Sequence, residues 1–73
     1  MKIKYYPDTD TLYIEFNDNR IVETRELDSF MLIDVDEQDS VCAMTVERAS
    51  QRANMPEIVF NIPSQKAGER VAA

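Results

Sequence analysis

Apolar and polar residues alternate through most of the first 48 residues, and this period of two is typical of strands that bury one face. The alternating runs are separated by short polar segments, such as Pro7–Asp10 and Asn17–Asn19, whose residues favour turns. A helix would need a period near 3.6, which this part of the chain does not follow. The pattern therefore predicts an antiparallel sheet, with strands at about residues 1–6, 11–16, 20–27, 30–35 and 41–46.

The fourth and fifth predicted strands, Phe30–Val35 and Val41–Val46, are apolar on both faces. Strands of that kind are covered on both faces in folded proteins. They predict a helix against one side of the sheet, with a second subunit as the candidate for the other. Because Gly68 is the only glycine, the hairpins should use three- to five-residue loops built on type I turns.

The pattern changes after the fifth predicted strand. Residues Glu47–Asn54 are mostly good helix formers, and Pro56 forbids continuation, so we predict one short helix. Glu57–Ile62 is a candidate sixth strand, expected to pair at a sheet edge, with a dimer interface as one such place. The predicted fold class is α+β: an antiparallel meander of five to six strands with one short helix after the fifth. We predict that residues 1–62 form one compact domain and that residues 63–73 form a flexible tail.

A chain of 73 residues has little core, since a domain of this size buries only about 60% of the surface that it exposes when unfolded. Disulfides, metals or partner chains usually compensate. A disulfide within the chain is impossible because Cys42 is the only cysteine, and a structural zinc site is disfavoured because there is no histidine. We therefore expect a homodimer.

The chain carries 14 acidic and 8 basic residues, for a formal net charge of −6. This charge repels nucleic-acid phosphates and favours a basic partner, so we expect no nucleic-acid binding. No apolar run approaches the length of a membrane span, and the first residues lack the apolar region of a signal peptide. With one unpaired cysteine, these features predict a cytoplasmic protein that does not bind membranes.

Two groups of carboxylates are candidates for chemistry. Asp34, Asp36, Glu37 and Asp39 could ligate a divalent cation, but their spacing fails the calcium-loop template, and a solvated hairpin turn explains them better. A second group, in the segment Pro7–Asp10, is explained by turn formation. Without histidine or a glycine-rich phosphate loop, we expect no catalytic residues, no metal site, no cofactor and no enzymatic activity.

The third predicted strand carries Glu23, Arg25 and Glu26. These side chains either form ion pairs across neighbouring strands or line a polar interface with a partner. We take the three residues as the candidate interface.

Three segments together resemble a bacterial family known as domain of unknown function 2283. They are the opening Tyr6–Ile14, the middle segment Glu23–Leu27, and the stretch Ile33–Glu37 followed by Val41, Glu47 and Ala49–Ser50. The resemblance covers about residues 1–52. Two departures are Asp39, where the family often has glycine, and the segment from Met55 onward, which has no counterpart.

The resemblance implies a compact sheet with a small helix and assigns no catalytic residues. Some members of the family are encoded beside small toxin-like proteins, which implies an antitoxin-like role. The favoured hypothesis is thus a protein-binding module that neutralises a small basic partner. The alternative is a self-contained homodimer that binds a small molecule on its sheet.

Overall fold

The computed structural model describes residues 1–55 and 57–64. Five strands form one antiparallel sheet in the order β1-β2-β5-β4-β3, and one helix follows the fifth strand. The predicted α+β fold, a meander-like antiparallel sheet with one short helix after strand five, is confirmed. The elements are β1 Lys2–Tyr6, β2 Thr11–Glu15, β3 Glu23–Asp28, β4 Met31–Val35, β5 Val41–Val46 and α1 Ala49–Arg52.

The central strand is β5, which lies between the β1–β2 hairpin and the β3–β4 hairpin. On one side it pairs with β2 of the β1–β2 hairpin, and on the other it pairs with β4. Residues 16–22 therefore cross one end of the sheet to reach β3. The N–H of Phe16 donates to the carbonyl of Cys42 at 2.7 Å, and the N–H of Val22 donates to the carbonyl of Val35 at 2.9 Å. These bonds hold the crossing segment, residues 16–22, against the ends of β5 and β4.

Two hairpins turn on left-handed aspartates. Asp10 has φ of 53° and Asp39 has φ of 67°, a region that Asp and Asn enter more readily than most residues. The N–H of Asp10 donates to the Pro7 carbonyl at 3.3 Å, and the N–H of Asp39 donates to the Asp36 carbonyl at 3.0 Å. Aspartate therefore takes the position that glycine often holds in such turns.

The third strand and the helix are both shorter than predicted. β3 begins at Glu23 rather than Arg20, because the residues before it belong to the crossing segment. The helix begins at Ala49 rather than Glu47, because the N–H of Glu47 still bonds across to the Phe30 carbonyl at 2.7 Å. Arg48 then adopts a left-handed φ of 53°, which separates strand from helix.

The segment Ile58–Ile62 is not a strand in the single chain. A strand needs a neighbour for its main-chain groups, and no backbone hydrogen bond within residues 1–55 and 57–64 joins this segment to the sheet. The predicted tail at 63–73 falls mostly on residues 65–73, which lie outside the described residues, so that boundary stays a prediction.

The buried core is small. Among the described residues, the apolar side chains that are buried are Val35, Cys42, Ala43, Val46 and Ala49. The largest side chain that is fully buried is a valine. In a chain that is 44% hydrophobic, most apolar side chains therefore keep contact with solvent in the single chain.

Val35 is the position where core truncation should cost most. It is 1% exposed, whereas Val41, its partner across β4 and β5, is 39% exposed. Removal of two buried carbons and the resulting cavity should lower the free energy of unfolding by about 2 kcal/mol in Val35→Ala. Val41→Ala, the matched control, should lose less than about 1 kcal/mol. Urea denaturation of both variants measures the difference, and equal losses would contradict this assignment of the core.

Candidate functional site

The strand register sorts the side chains onto two unlike faces. Cross-strand partners point to the same face, and neighbours along a strand point to opposite faces. One face, here called the apolar face, gathers residues from β1, β2, β5 and β4: Ile3, Tyr5, Leu12, Ile14, Met31, Ile33, Met44 and Val46. The opposite, polar face carries Lys2 opposite Glu15, and Thr24 opposite Asp34.

The apolar face is incompletely covered. Val46 is buried, Ile3 is 42% exposed, and the other six residues of this face are partly exposed. Helix α1 has only four residues and reaches one end of the sheet, where the guanidinium of Arg52 lies 3.5 Å from the Met31 Sδ. This partly open apolar face is therefore the candidate binding surface of the sheet.

Asp10 holds the helix onto the β1–β2 hairpin. Its carboxylate accepts hydrogen bonds from the Tyr5 hydroxyl at 2.6 Å, from the Ser50 hydroxyl at 2.7 Å and from the Ser50 N–H at 3.1 Å. Its carbonyl accepts the Ala49 N–H at 2.9 Å. The first N–H groups of the helix are thus capped by a residue forty positions earlier. Tyr5 and Ser50 hold the pKa of Asp10 below its ordinary value, and the carboxylate raises the pKa of Tyr5.

Asp36 organises the opposite end of the sheet. This buried carboxylate accepts the N–H groups of Gln38 at 2.9 Å and Ser40 at 3.0 Å, and the side-chain amide of Asn19 at 3.1 Å. The bonds from Ser40 and Asn19 hold the pKa of Asp36 below its ordinary value. The aspartate therefore fixes the β4–β5 turn and ties the crossing segment to it.

The predicted interface residues all lie on β3, an edge strand whose six residues are exposed. Arg25 donates to Glu23 at 3.0 Å and also pairs with Asp39 of the β4–β5 turn. Glu26 lies opposite Leu32 on the other face of the sheet. The structure therefore brings Glu23 and Arg25 together and leaves Glu26 apart, and the interface role of all three stays a prediction.

The chemistry that the described residues offer is limited. No cluster of metal-ligating side chains occurs in residues 1–55 and 57–64. Burial raises the pKa of the Cys42 thiol, and the carboxylates of Asp36 and Asp34 raise it further. That thiol is 1% exposed and donates to the Ser40 carbonyl at 3.7 Å. It is therefore a protonated core side chain rather than an accessible nucleophile.

The depression beside the β4–β5 turn is open and polar. It has a volume of about 320 Å³, lies between the crossing segment and that turn, and is lined by Asn19, Arg20, Asp36, Glu37 and Gln38. Small-molecule sites are usually enclosed and mostly apolar. In the described part of the chain, no helix has the length and apolar character needed to cross a membrane.

A family model described as "Protein of unknown function (DUF2283)" matches residues 2–50. The chain belongs to this family. The DUF2283 match begins with β1 and ends inside the helix at Ser50, so it includes both residues of the Asp10–Ser50 contact. The segment Ile58–Ile62 lies outside it. Searches of curated proteins and of solved structures find no match.

Sequence reasoning read Asp10 and Asp36 as turn residues and did not find their longer-range roles. The partners Ser50 and Asn19 are forty and seventeen residues away. Neither separation leaves a local pattern, and only the fold brings these side chains together. The aspartate in the opening Tyr6–Ile14 of the family pattern was the one available indication for Asp10.

The depressed pKa of Asp10 should appear in the pH dependence of stability. A carboxylate whose pKa is lower in the folded state stabilises the fold when the pH is above its unfolded pKa of about 3.9. This stabilisation is lost as the pH falls through the pKa of the folded state. The urea midpoint of the protein should therefore decline below about pH 4. Asp10→Asn should lower the midpoint at pH 7 and flatten this decline.

Asp8→Asn is the matched control for this experiment. Asp8 lies in the same turn, and its carboxylate makes no hydrogen bond to the described residues. We expect its urea midpoint to follow that of the unmodified protein at every pH. A decline in Asp10→Asn as steep as in the unmodified protein would contradict the role assigned to Asp10.

Proposed function

We propose that this DUF2283 chain is a non-enzymatic protein-binding module that acts as a homodimer in the cytoplasm and neutralises a small basic partner, in the manner of an antitoxin. The observation that carries the proposal is the exposed apolar face on a sheet with a very small core. Such a surface favours binding to a protein, because a second protein supplies apolar area to cover it.

The polar groups support a binding role over catalysis. The carboxylates of Asp10 and Asp36 are each engaged in three or more hydrogen bonds within the fold. The chain has no histidine to act as a base near neutral pH. The open, polar depression beside the β4–β5 turn gives little support to the alternative of a small-molecule site.

The charge distribution supports a basic partner. The β4–β5 turn and the strand end before it carry Asp34, Asp36, Glu37 and Asp39 within six residues. Arg20 pairs with Glu37, and Arg25 pairs with Asp39 and Glu23, so the acidic side chains at this end outnumber the two arginines. A surface of one sign accelerates association with a partner of the opposite sign and makes binding sensitive to salt.

A pull-down of the tagged full chain from its native lysate tests this function. We expect recovery of one small basic protein in near-equal amount, with several-fold weaker binding for Glu37→Lys or in high salt. Asp8→Lys makes the same charge change at the opposite end of the sheet and should bind like the unmodified chain. Failure to recover a partner, or a partner insensitive to Glu37→Lys and to salt, would contradict the proposal.

The proposed homodimer has its own test. Sedimentation equilibrium at micromolar concentration should give twice the chain mass of 8.4 kDa. A mass of one chain at that concentration would contradict the homodimer and leave the basic partner to cover the apolar face alone.

A further inference from the structure

A second apolar surface lies after the helix. Ile58 is 56% exposed, Val59 78%, Phe60 73% and Ile62 75%. We propose that this segment, Ile58–Ile62, pairs as a sixth strand with the β1 edge of a second copy, and that two copies exchange their segments reciprocally. This proposal rests on the homodimer proposed above and names the surfaces that form it.

The segment has the composition of a strand. Four of its five residues are β-branched or aromatic, with neither glycine nor proline among them. In an extended conformation Ile58, Phe60 and Ile62 share one face, and Val59 lies on the other. What the segment lacks in the single chain is a neighbouring strand, and the addition of a strand to an exposed sheet edge supplies one.

The two edges of the sheet differ in how open they are to a new strand. The β3 edge carries Glu23, Arg25, Glu26 and Asp28, and its register shifts between Glu26 and Asp28. Charges and bulges are the features that protect an edge from pairing. The β1 edge carries two charged residues, Lys2 and Lys4, where β3 carries four, and it runs in unbroken register with β2 over all five residues. The β1 edge is therefore the one that accepts a straight five-residue strand.

The faces and charges of β1 fit the segment. Ile3 and Tyr5 lie on the apolar face, so the Ile58, Phe60 and Ile62 side chains of an added strand extend that face. Lys2 and Lys4 lie on the polar face, the same side that Glu57 would take. In a chain with net charge −6, β1 is a strand with two basic residues and no acidic residue.

The chain's own β1 edge does not pair with the segment. No backbone hydrogen bond within residues 1–55 and 57–64 joins Ile58–Ile62 to β1. The side chain of Arg52, at the end of the helix, pairs with Asp28 of the opposite edge strand at 3.3 Å. Turn bonds from Met55 to Ala53 and from Glu57 to Asn54 follow the helix. A second copy supplies the β1 edge that the segment lacks in the single chain.

The exchange also covers exposed surface on both copies. The four apolar side chains of the segment are each more than half exposed in the single chain. Each of the two reciprocal exchanges pairs the main chain of one segment with the receiving β1 edge, so the two copies bury surface at two places.

Sedimentation equilibrium of three full-chain variants tests the exchange. Phe60→Asp should shift the mass from two chains to one at micromolar concentration and weaken association at least a hundredfold. Leu27→Asp introduces the same charge at a 55% exposed apolar residue on the β3 edge and should remain a dimer. Ile3→Lys should dissociate by disrupting the receiving edge. Far-UV circular dichroism checks that each variant keeps its sheet.

An equimolar mixture of Phe60→Asp and Ile3→Lys should recover dimers. In the mixed pair one exchange is unmodified, and in the other the introduced carboxylate faces the introduced ammonium group. If Phe60→Asp remains a dimer, the exchange is overturned while the homodimer stands. The same conclusion follows if Leu27→Asp is a monomer and Ile3→Lys is a dimer. A monomeric unmodified chain would overturn both. If Ile3→Lys does not fold, the comparison of Phe60→Asp with Leu27→Asp decides alone.

Discussion

A five-stranded sheet has two faces to cover, and after its fifth strand this chain supplies a helix of four residues. The rest of the structure depends on this shortage of chain to cover the sheet. Among the described residues, the largest side chain that is fully enclosed is a valine, and the apolar face stays partly open. Because hydrophobic burial is the dominant favourable term in folding and association, this partly open face is the basis of the binding role that we propose.

Two aspartates hold this small fold together at its opposite ends. Asp10 joins the β1–β2 hairpin to the helix, and Asp36 joins the β4–β5 turn to the crossing segment. Each fixes a contact between parts of the chain that are distant in sequence. With so few apolar side chains buried, such hydrogen bonds to charged groups contribute a larger share of specificity than in a larger domain.

The strands could be predicted from the sequence because alternation is local, and so could the turns, whose aspartates and asparagines act on their own backbone. The pairing of β2 with β5 could not be predicted, because Leu12 and Val46 are far apart in sequence and no local pattern indicates their contact. The helix was predicted too long because its propensity extends to Glu47, where a tertiary bond to Phe30 prevails. Ile58–Ile62 has the pattern of a strand, yet pairing depends on a neighbour that the single chain does not bring to it.

Amide hydrogen exchange at two protein concentrations is the most direct measurement of whether a second copy completes the sheet. The amides of Ile58–Ile62 and of the β1 edge should be protected at high concentration and lose that protection together on dilution, while amides of β5 stay protected. Rapid exchange of Ile58–Ile62 at every concentration, with no change along β1, would contradict this account.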